Sequence, residues 1–212
     1  MKELLLMFLA YLIGSVPTAL IISRRFFGID IREYGSGNMG ATNTFRVLGS
    51  RYGTIVMCMD ILKGMLAVSL YNFLPYYLGN EWHRTNLMVG LGLAAVLGHI
   101  FPIFADFKGG KGVATLFGMI LAMQPVIAVF CVGVFLLVLF LTRYVSLSSI
   151  LAGIALPISV LWIWNDEVTI YRIFAVLVAL LIILTHQKNI GKLLRGNESR
   201  VPLFRDRTRR RS

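Results

Sequence analysis

VATLFGMILAMQPVIAVFCVGVFLLVLFLT, Val113–Thr142, is a thirty-residue apolar run broken at Gln124-Pro125. A bilayer core takes about 20 residues of helix, so one helix of this length would overshoot it. The residue before a proline is biased away from helix. The run therefore reads as a short fourth helix, a turn at Gln124-Pro125, and a fifth helix ending near Thr142. The short helix reaches only part way across unless lipid thins or neighbouring protein covers its end. That break sets the span count.

Outward from it, five more apolar stretches read as spans: Leu4–Ser23, kinked at Gly14 and Pro17; 54–78; 85–104; 147–164; and 168–185. Hydrophobic residues make up 57% of the 212 and charged ones 15%, against about a quarter charged in soluble domains. The expected fold is an all-α integral membrane protein of seven transmembrane helices, one of them short. It forms a single domain, 1–212, with 199–212 as a basic tail. A net charge of +11 reports orientation and contact with anionic headgroups here, not nucleic acid. Cys58 and Cys131 lie in apolar segments and match neither a zinc site nor a disulfide framework. A cleaved signal peptide is not expected, since no cleavage site followed by a soluble domain is apparent.

Seven spans put the termini on opposite faces, and basic residues test the assignment. Arg24, Arg25, Arg32, Arg46, Arg51, Lys108, Lys111, Arg143 and the tail fall on one side; Lys2, Arg84 and Arg172 fall on the other. The positive-inside rule then places the C-terminus in the cytoplasm and the N-terminus outside. Joining the fourth and fifth helices would scatter these charges over both faces. Asp60 and Lys63, spaced i, i+3 within the second span, share a helix face and can pair, either as a functional pair or as a structural one at headgroup level.

Four polar stretches collect on the cytoplasmic side. In YGSGNMGATNTFRVLG (34–49), glycines interleave with Ser36, Asn38, Thr42 and Asn43, ahead of Arg46. Hydroxyls, amides and free backbone N–H groups can wrap an oxyanion, and a guanidinium binds phosphate bidentately. The plainer reading is a flexible linker, with Thr42 or Asn43 as a helix N-cap. In GHIFPIFADFKGGKGVAT (98–115), Lys108 and Lys111 flank Gly109 and Gly110, with His99 upstream. Glycines let backbone N–H groups turn toward an anion, although Gly112 follows Lys111 where a Walker A loop has Ser or Thr. In RYVSLSS (143–149), Ser146 caps a helix or faces an anion at its N-terminus. HQKNIGKLLRGNE (186–198) reads as an amphipathic interfacial helix carrying His186 and Asn189 on one face.

Two or more phosphate sites beside greasy helices, without paired carboxylates, a metal cluster or a Ser-His-Asp set, fit group transfer from an activated donor. The motifs GSGNMGATNTFRVLG, GHIFPIFADFKGGKGVAT and HQKNIGKLLRGNE, with RYVSLSS, resemble the bacterial acyl-phosphate-dependent glycerol-3-phosphate acyltransferases (the PlsY family), over nearly the whole chain to Glu198. The resemblance implies acyl transfer from acyl phosphate to the sn-1 hydroxyl of glycerol 3-phosphate, giving lysophosphatidate and phosphate at the cytoplasmic face of the cell membrane. It implies no cofactor and no metal; the partners are the two substrates and membrane lipid.

By motif, Ser36, Thr42, Asn43, Gly109, Gly110 and Lys111 would hold acyl phosphate. Arg46, Ser146, His186 and Asn189 would position glycerol 3-phosphate, with Lys108 and His99 close by and Glu198 at a required motif position. Ser36, Arg46, Lys111, His186 and Asn189 are the implied catalytic set, and Asn38 joins the substrate-binding loop. Gln187 and Lys188 depart from the Arg and Glu that the family carries after the histidine. Two competing readings are weaker. Acyl-CoA-dependent acyltransferases carry His-x-x-x-x-Asp, which His83, His99 and His186 all lack. A transporter for an anionic solute would gather polar groups at the midplane, whereas these gather in loops on one face.

Overall fold

The computed structural model describes residues 1–74, 79–163 and 169–201. The regular elements among those residues are all helices, and the two longest connections, 28–40 and 101–112, each hold one short 3-10 turn. In chain order the helices are α1 (Lys2–Ser15), α2 (Thr18–Phe27), α3 (Ala41–Leu48), α4 (Ser50–Ser69), α5 (Glu81–Ile100), α6 (Val113–Met123), α7 (Pro125–Thr142), α8 (Val145–Ile158), α9 (Thr169–Thr185) and α10 (Gln187–Leu194).

The expected breaks fall where proline puts them. Pro17 separates α1 from α2, and Pro125 opens α7 at its first turn, where a missing N–H costs nothing. The eleven residues of α6 span about 16 Å at 1.5 Å per residue, half of a bilayer core. Among the described residues, five segments are long and apolar enough to cross a membrane: Lys2–Phe27, Ser50–Phe73, Glu81–Ala105, Pro125–Thr142 and Val145–Ile163. A sixth appears if α9 and α10, bent by 62°, are taken together.

Span boundaries differ from expectation at several ends, the first span running on to Phe27 rather than stopping at Ser23. The second span begins at Ser50 rather than near 54. The third begins at Glu81, because Asn80 Oδ1 accepts from the His83 N–H 3.1 Å away and caps the helix, so the expected turn at 79–84 is mostly helix. The gap expected between the sixth and seventh spans, 165–167, and most of the basic tail, 202–212, lie outside the described residues.

Small residues let the helices touch backbone to backbone. A Cβ on Gly14 of α1 would fall on the Ala95 carbonyl of α5, and one on Gly98 of α5 on the Tyr11 carbonyl of α1. Gly64 of α4 meets the Thr115 carbonyl of α6 in the same way, and Gly118 of α6 the Ile61 carbonyl of α4. Lipid tails are as apolar as leucine, so close van der Waals approach at small residues is what holds such helices together. The main core gathers Val96, Leu116, Met119, Leu156, Tyr171 and Phe174 from α5, α6, α8 and α9. α7 leaves Val126, Val129, Leu136, Leu137, Phe140 and Leu141 exposed, an apolar face that suits lipid rather than water.

Candidate active site

The glycine loop is built around one side chain. Asn43, 1% exposed, accepts from the Ser36 N–H at 2.8 Å and donates to the carbonyls of Tyr34 (3.0 Å) and Ile31 (3.3 Å). Gly35 has φ +62° and lies so close that a Cβ there would strike Asn43 Oδ1. Thus Asn43, expected to touch substrate or cap a helix, is occupied in shaping the loop that presents Ser36. Neither Thr42 nor Asn43 caps α3. Gly40 is the N-cap, and Thr42 is exposed on the first turn. Asn38 Oδ1 accepts from the Gly40 N–H at 2.8 Å.

Arg32 joins this loop to the next. It bonds Asp30 through Nε (3.0 Å) and Nη2 (2.8 Å) while its Nη1 reaches Asp106 Oδ2 (3.2 Å). The hydrogen bond from Arg32 holds the Asp30 carboxyl well below the usual carboxylate range. In the sequence Arg32 reads only as a topogenic charge. The signal lies in Asp30-x-Arg32 and in Asp106 just before the Lys/Gly motif.

The Lys/Gly loop departs from a simple anion cradle. The Gly109 N–H bonds the Ile100 carbonyl at 3.1 Å and the Gly110 N–H bonds the His99 carbonyl at 3.0 Å. These two N–H groups therefore satisfy the open end of α5 and are not turned to a ligand. The glycines are needed for approach: a Cβ on Gly109 would fall on the His99 carbonyl, and one on Gly110 on His99 Nε2. Lys111 and Gly112 follow, and the orphan N–H groups of α6's first turn begin there. Lys108 is exposed.

The turn aims Lys111 at the start of α10. Lys111 Nζ donates to Asn189 Oδ1. Asn189 Nδ2 donates to Glu198 Oε1 at 2.7 Å, and Ser146 Oγ donates to the same oxygen at 2.8 Å. Ser146 is therefore spent on Glu198 and caps nothing; the N-cap of α8 is Tyr144. Glu198 is returned to the cluster by a Schellman ending of α10. Gly196 takes φ +70°, its N–H bonds the Leu193 carbonyl, and the Asn197 N–H bonds the Lys192 carbonyl.

Burial depresses the Lys111 ammonium to about 8, opposed by Glu198 and assisted by Lys192 and Arg46. That influence also puts Arg46, exposed on α3, within electrostatic reach of Lys111. His186, 2% exposed, sets Nδ1 2.8 Å from the Ile182 carbonyl. A carbonyl only accepts, so Nδ1 carries the proton and Nε2 of the neutral ring holds the lone pair. His186 ends α9 where the chain bends into α10.

The structure thus brings together Lys111, Asn189, Glu198 and Ser146, with Arg46 within electrostatic reach of Lys111, while burial and the Lys111 ammonium keep the His186 ring neutral. It leaves Ser36, Asn38, Thr42 and Lys108 outside that hydrogen-bonded cluster. His99 does not border the cluster either. It is buried beneath the glycine turn and faces Asp60 at 3.7 Å. Asp60 and Lys63, a 2.9 Å pair, are buried among the helices. No group of three or more His, Cys, Asp or Glu arranged to hold a metal occurs among the described residues.

An all-helical, multi-pass integral membrane protein with a cationic polar cluster at its helix ends is the class that this fold defines. A family model for glycerol-3-phosphate acyltransferase matches residues 4–196. The chain is 41% identical to a glycerol-3-phosphate acyltransferase of Chlorobaculum parvum, over 92% of this chain and 95% of that one. It is 46% identical to glycerol-3-phosphate acyltransferase 2 of Bacillus cereus, over 93% and 94%. Among solved structures it resembles PlsY (YgiH), an integral membrane glycerol 3-phosphate acyltransferase, in its glycerol 3-phosphate form. The TM-score is 0.83, with 38% identity over 95% of this chain and 96% of that one. The lysophosphatidic acid form of PlsY matches with a TM-score of 0.78. The chain belongs to the glycerol-3-phosphate acyltransferase family, and it is an acyltransferase.

Proposed function

We propose that this enzyme transfers a fatty acyl group from acyl phosphate to the sn-1 hydroxyl of glycerol 3-phosphate, releasing lysophosphatidate and phosphate. The observation that carries the reading is the Lys111–Asn189–Glu198–Ser146 network. It holds a half-buried ammonium against the start of α6, within electrostatic reach of Arg46, where a phosphate would meet cationic groups and helix N–H groups together. In this reading the chain crosses the membrane seven times. The N-terminus lies outside and the site faces the cytoplasm, as the basic residues of the loops and tail favour.

Acyl phosphate is a mixed anhydride whose phosphate already leaves readily, so positioning and charge neutralisation supply most of the catalysis. The sn-1 oxygen bonds to the acyl carbon as the acyl–phosphate bond breaks. The hydroxyl proton passes to an oxygen of a substrate phosphate. Lys111 and Arg46 hold phosphate charge, Asn189 and Ser146 orient the glycerol 3-phosphate, and Glu198 fixes both of these side chains. Ser36, presented by the Asn43-shaped loop, donates to acyl phosphate. His186 Nε2 is the alternative proton acceptor, and His186→Gln with retained turnover and an unchanged pH profile would eliminate it.

The test is turnover of labelled glycerol 3-phosphate by purified protein in detergent or lipid, with palmitoyl phosphate or palmitoyl-CoA as donor. Lysophosphatidate from palmitoyl phosphate alone is expected. Product from the thioester alone would overturn the donor assignment.

A further inference from the structure

Outside this network lies a second polar cluster, one that the reaction as described does not use. Asp60, Lys63 and His99 are 2%, 6% and 6% exposed. They meet Val16 and Pro17 at the α1–α2 break, Pro102, and Gly110 of the Lys/Gly loop around a cavity of about 10 Å³. Lys63 Nζ lies 2.9 Å from Asp60 Oδ1 and donates to the Val16 carbonyl at 3.1 Å. Asp60 Oδ2 and His99 Nδ1 have no hydrogen-bond partner among the described residues. The cavity is close to the size of a single water, which would serve both atoms.

A buried ion pair is weak evidence for stability, because an apolar pair of similar volume often does as well. Within membrane-spanning helices such charges are a functional hypothesis by default. The position of His99 suggests what this pair does. Its Nε2 lies directly under Gly110 and its carbonyl accepts the Gly110 N–H. Gly110 is the residue before Lys111. A shift of the imidazole therefore moves the glycine turn and, with it, the lysine.

We propose that Asp60 and Lys63 are positioning residues for the acyl transfer. Acting through His99, they seat the Gly109–Gly110 turn on the end of α5 and so fix where Lys111 stands. This rests on the reading of Lys111 as a phosphate-holding group. The seating of the turn is tested separately from that reading, by a measurement that needs no activity.

The decisive variant is the double substitution Asp60→Asn with Lys63→Met, which removes both charges and leaves none uncompensated. The double variant is expected to unfold within a few degrees of the parent. Its kcat/KM is expected to fall about a hundredfold, the scale on which a 1 Å misplacement acts. Deuterium uptake should rise in the 106–116 segment and stay unchanged in α4 and α5. Full turnover, or unchanged uptake in that segment, overturns the proposal. Uptake rising throughout α4 and α5 also overturns it, because that marks the pair as structural glue. Should the double variant not fold, His99→Leu leaves the ion pair whole. The same loss and the same local uptake are expected, and wild-type behaviour in this variant rejects the role. Activity surviving in Lys111→Met would remove the phosphate reading while leaving the uptake test of the turn intact.

Discussion

Lys111 and Asn189, 78 residues apart, are joined by a hydrogen bond from ammonium to amide oxygen, which ties the loop before α6 to the first turn of α10. Glu198 then bonds Asn189 and Ser146, so the network joins side chains from three separate parts of the chain. Function should respond to that cation's charge and to the partners that aim it.

The charge is read by pH. Lys111 is protonated below about 8, and an ammonium is what holds phosphate. Activity as kcat/KM, which reports the free enzyme, should fall as pH rises through about 8. Lys111→Arg stays charged, so whatever turnover it retains should lack that limb. The stability sign is opposite. Between about 8 and the ordinary lysine value the unfolded chain binds the extra proton, so Lys111 contributes a stability that rises with pH across that window. Thermal unfolding in detergent, wild type against Lys111→Met, checks the second statement.

Glu198 bonds two partners through one oxygen. Ser146→Ala removes one charge-assisted bond and should cost about 1.5–3 kcal/mol, roughly tenfold or more in kcat/KM. Glu198→Ala frees Ser146 and Asn189 together and should cost more than Ser146→Ala alone. Steady-state kinetics on the two variants and the double variant should show strong non-additivity, since the residues act as one unit.

Asn43→Ala deletes three hydrogen bonds that hold the 31–36 backbone. At about 0.5–1.5 kcal/mol each, their loss should loosen the loop without unfolding the helices. Faster amide exchange confined to 31–40, with a raised KM for acyl phosphate, is the expected result.

Helix contacts give a stability contrast. Gly64→Ala places a Cβ on the Thr115 carbonyl and should destabilise by about 1–3 kcal/mol, as overpacking does. A Cβ on Gly133 of α7 would meet nothing within 4 Å. Gly133→Ala should therefore be neutral or stabilise by up to about 1 kcal/mol through helix propensity. Thermal unfolding of the purified variants separates the two.

Much of the helix layout is legible in sequence because proline and hydropathy act locally. The breaks at Pro17 and Gln124-Pro125 fall where they are expected. The motifs that carry Lys111, Ser146, Asn189 and Glu198 are legible as separate polar stretches, and the structure brings those four side chains into one hydrogen-bonded network. Directions of bonds are not legible. Nothing in Lys-Gly-Gly-Lys says that the glycine N–H groups turn back to α5 rather than out to an anion. Nothing local says that Ser146 leaves a capping position for a carboxylate 52 residues away. Burial of Asp60 and Lys63 depends on which helices surround α4, and hydropathy along a single stretch of sequence does not carry that. The role of Arg32 is hidden for the same reason, since its partner Asp106 sits 74 residues on.

The most direct measurement is turnover of Lys111→Met beside the wild type, with palmitoyl phosphate and glycerol 3-phosphate, on protein whose fold in detergent has been verified. The account predicts activity at or below the detection limit with the variant folded. Near-normal turnover from the folded variant would contradict it, and the phosphate site would have to be sought elsewhere on the chain.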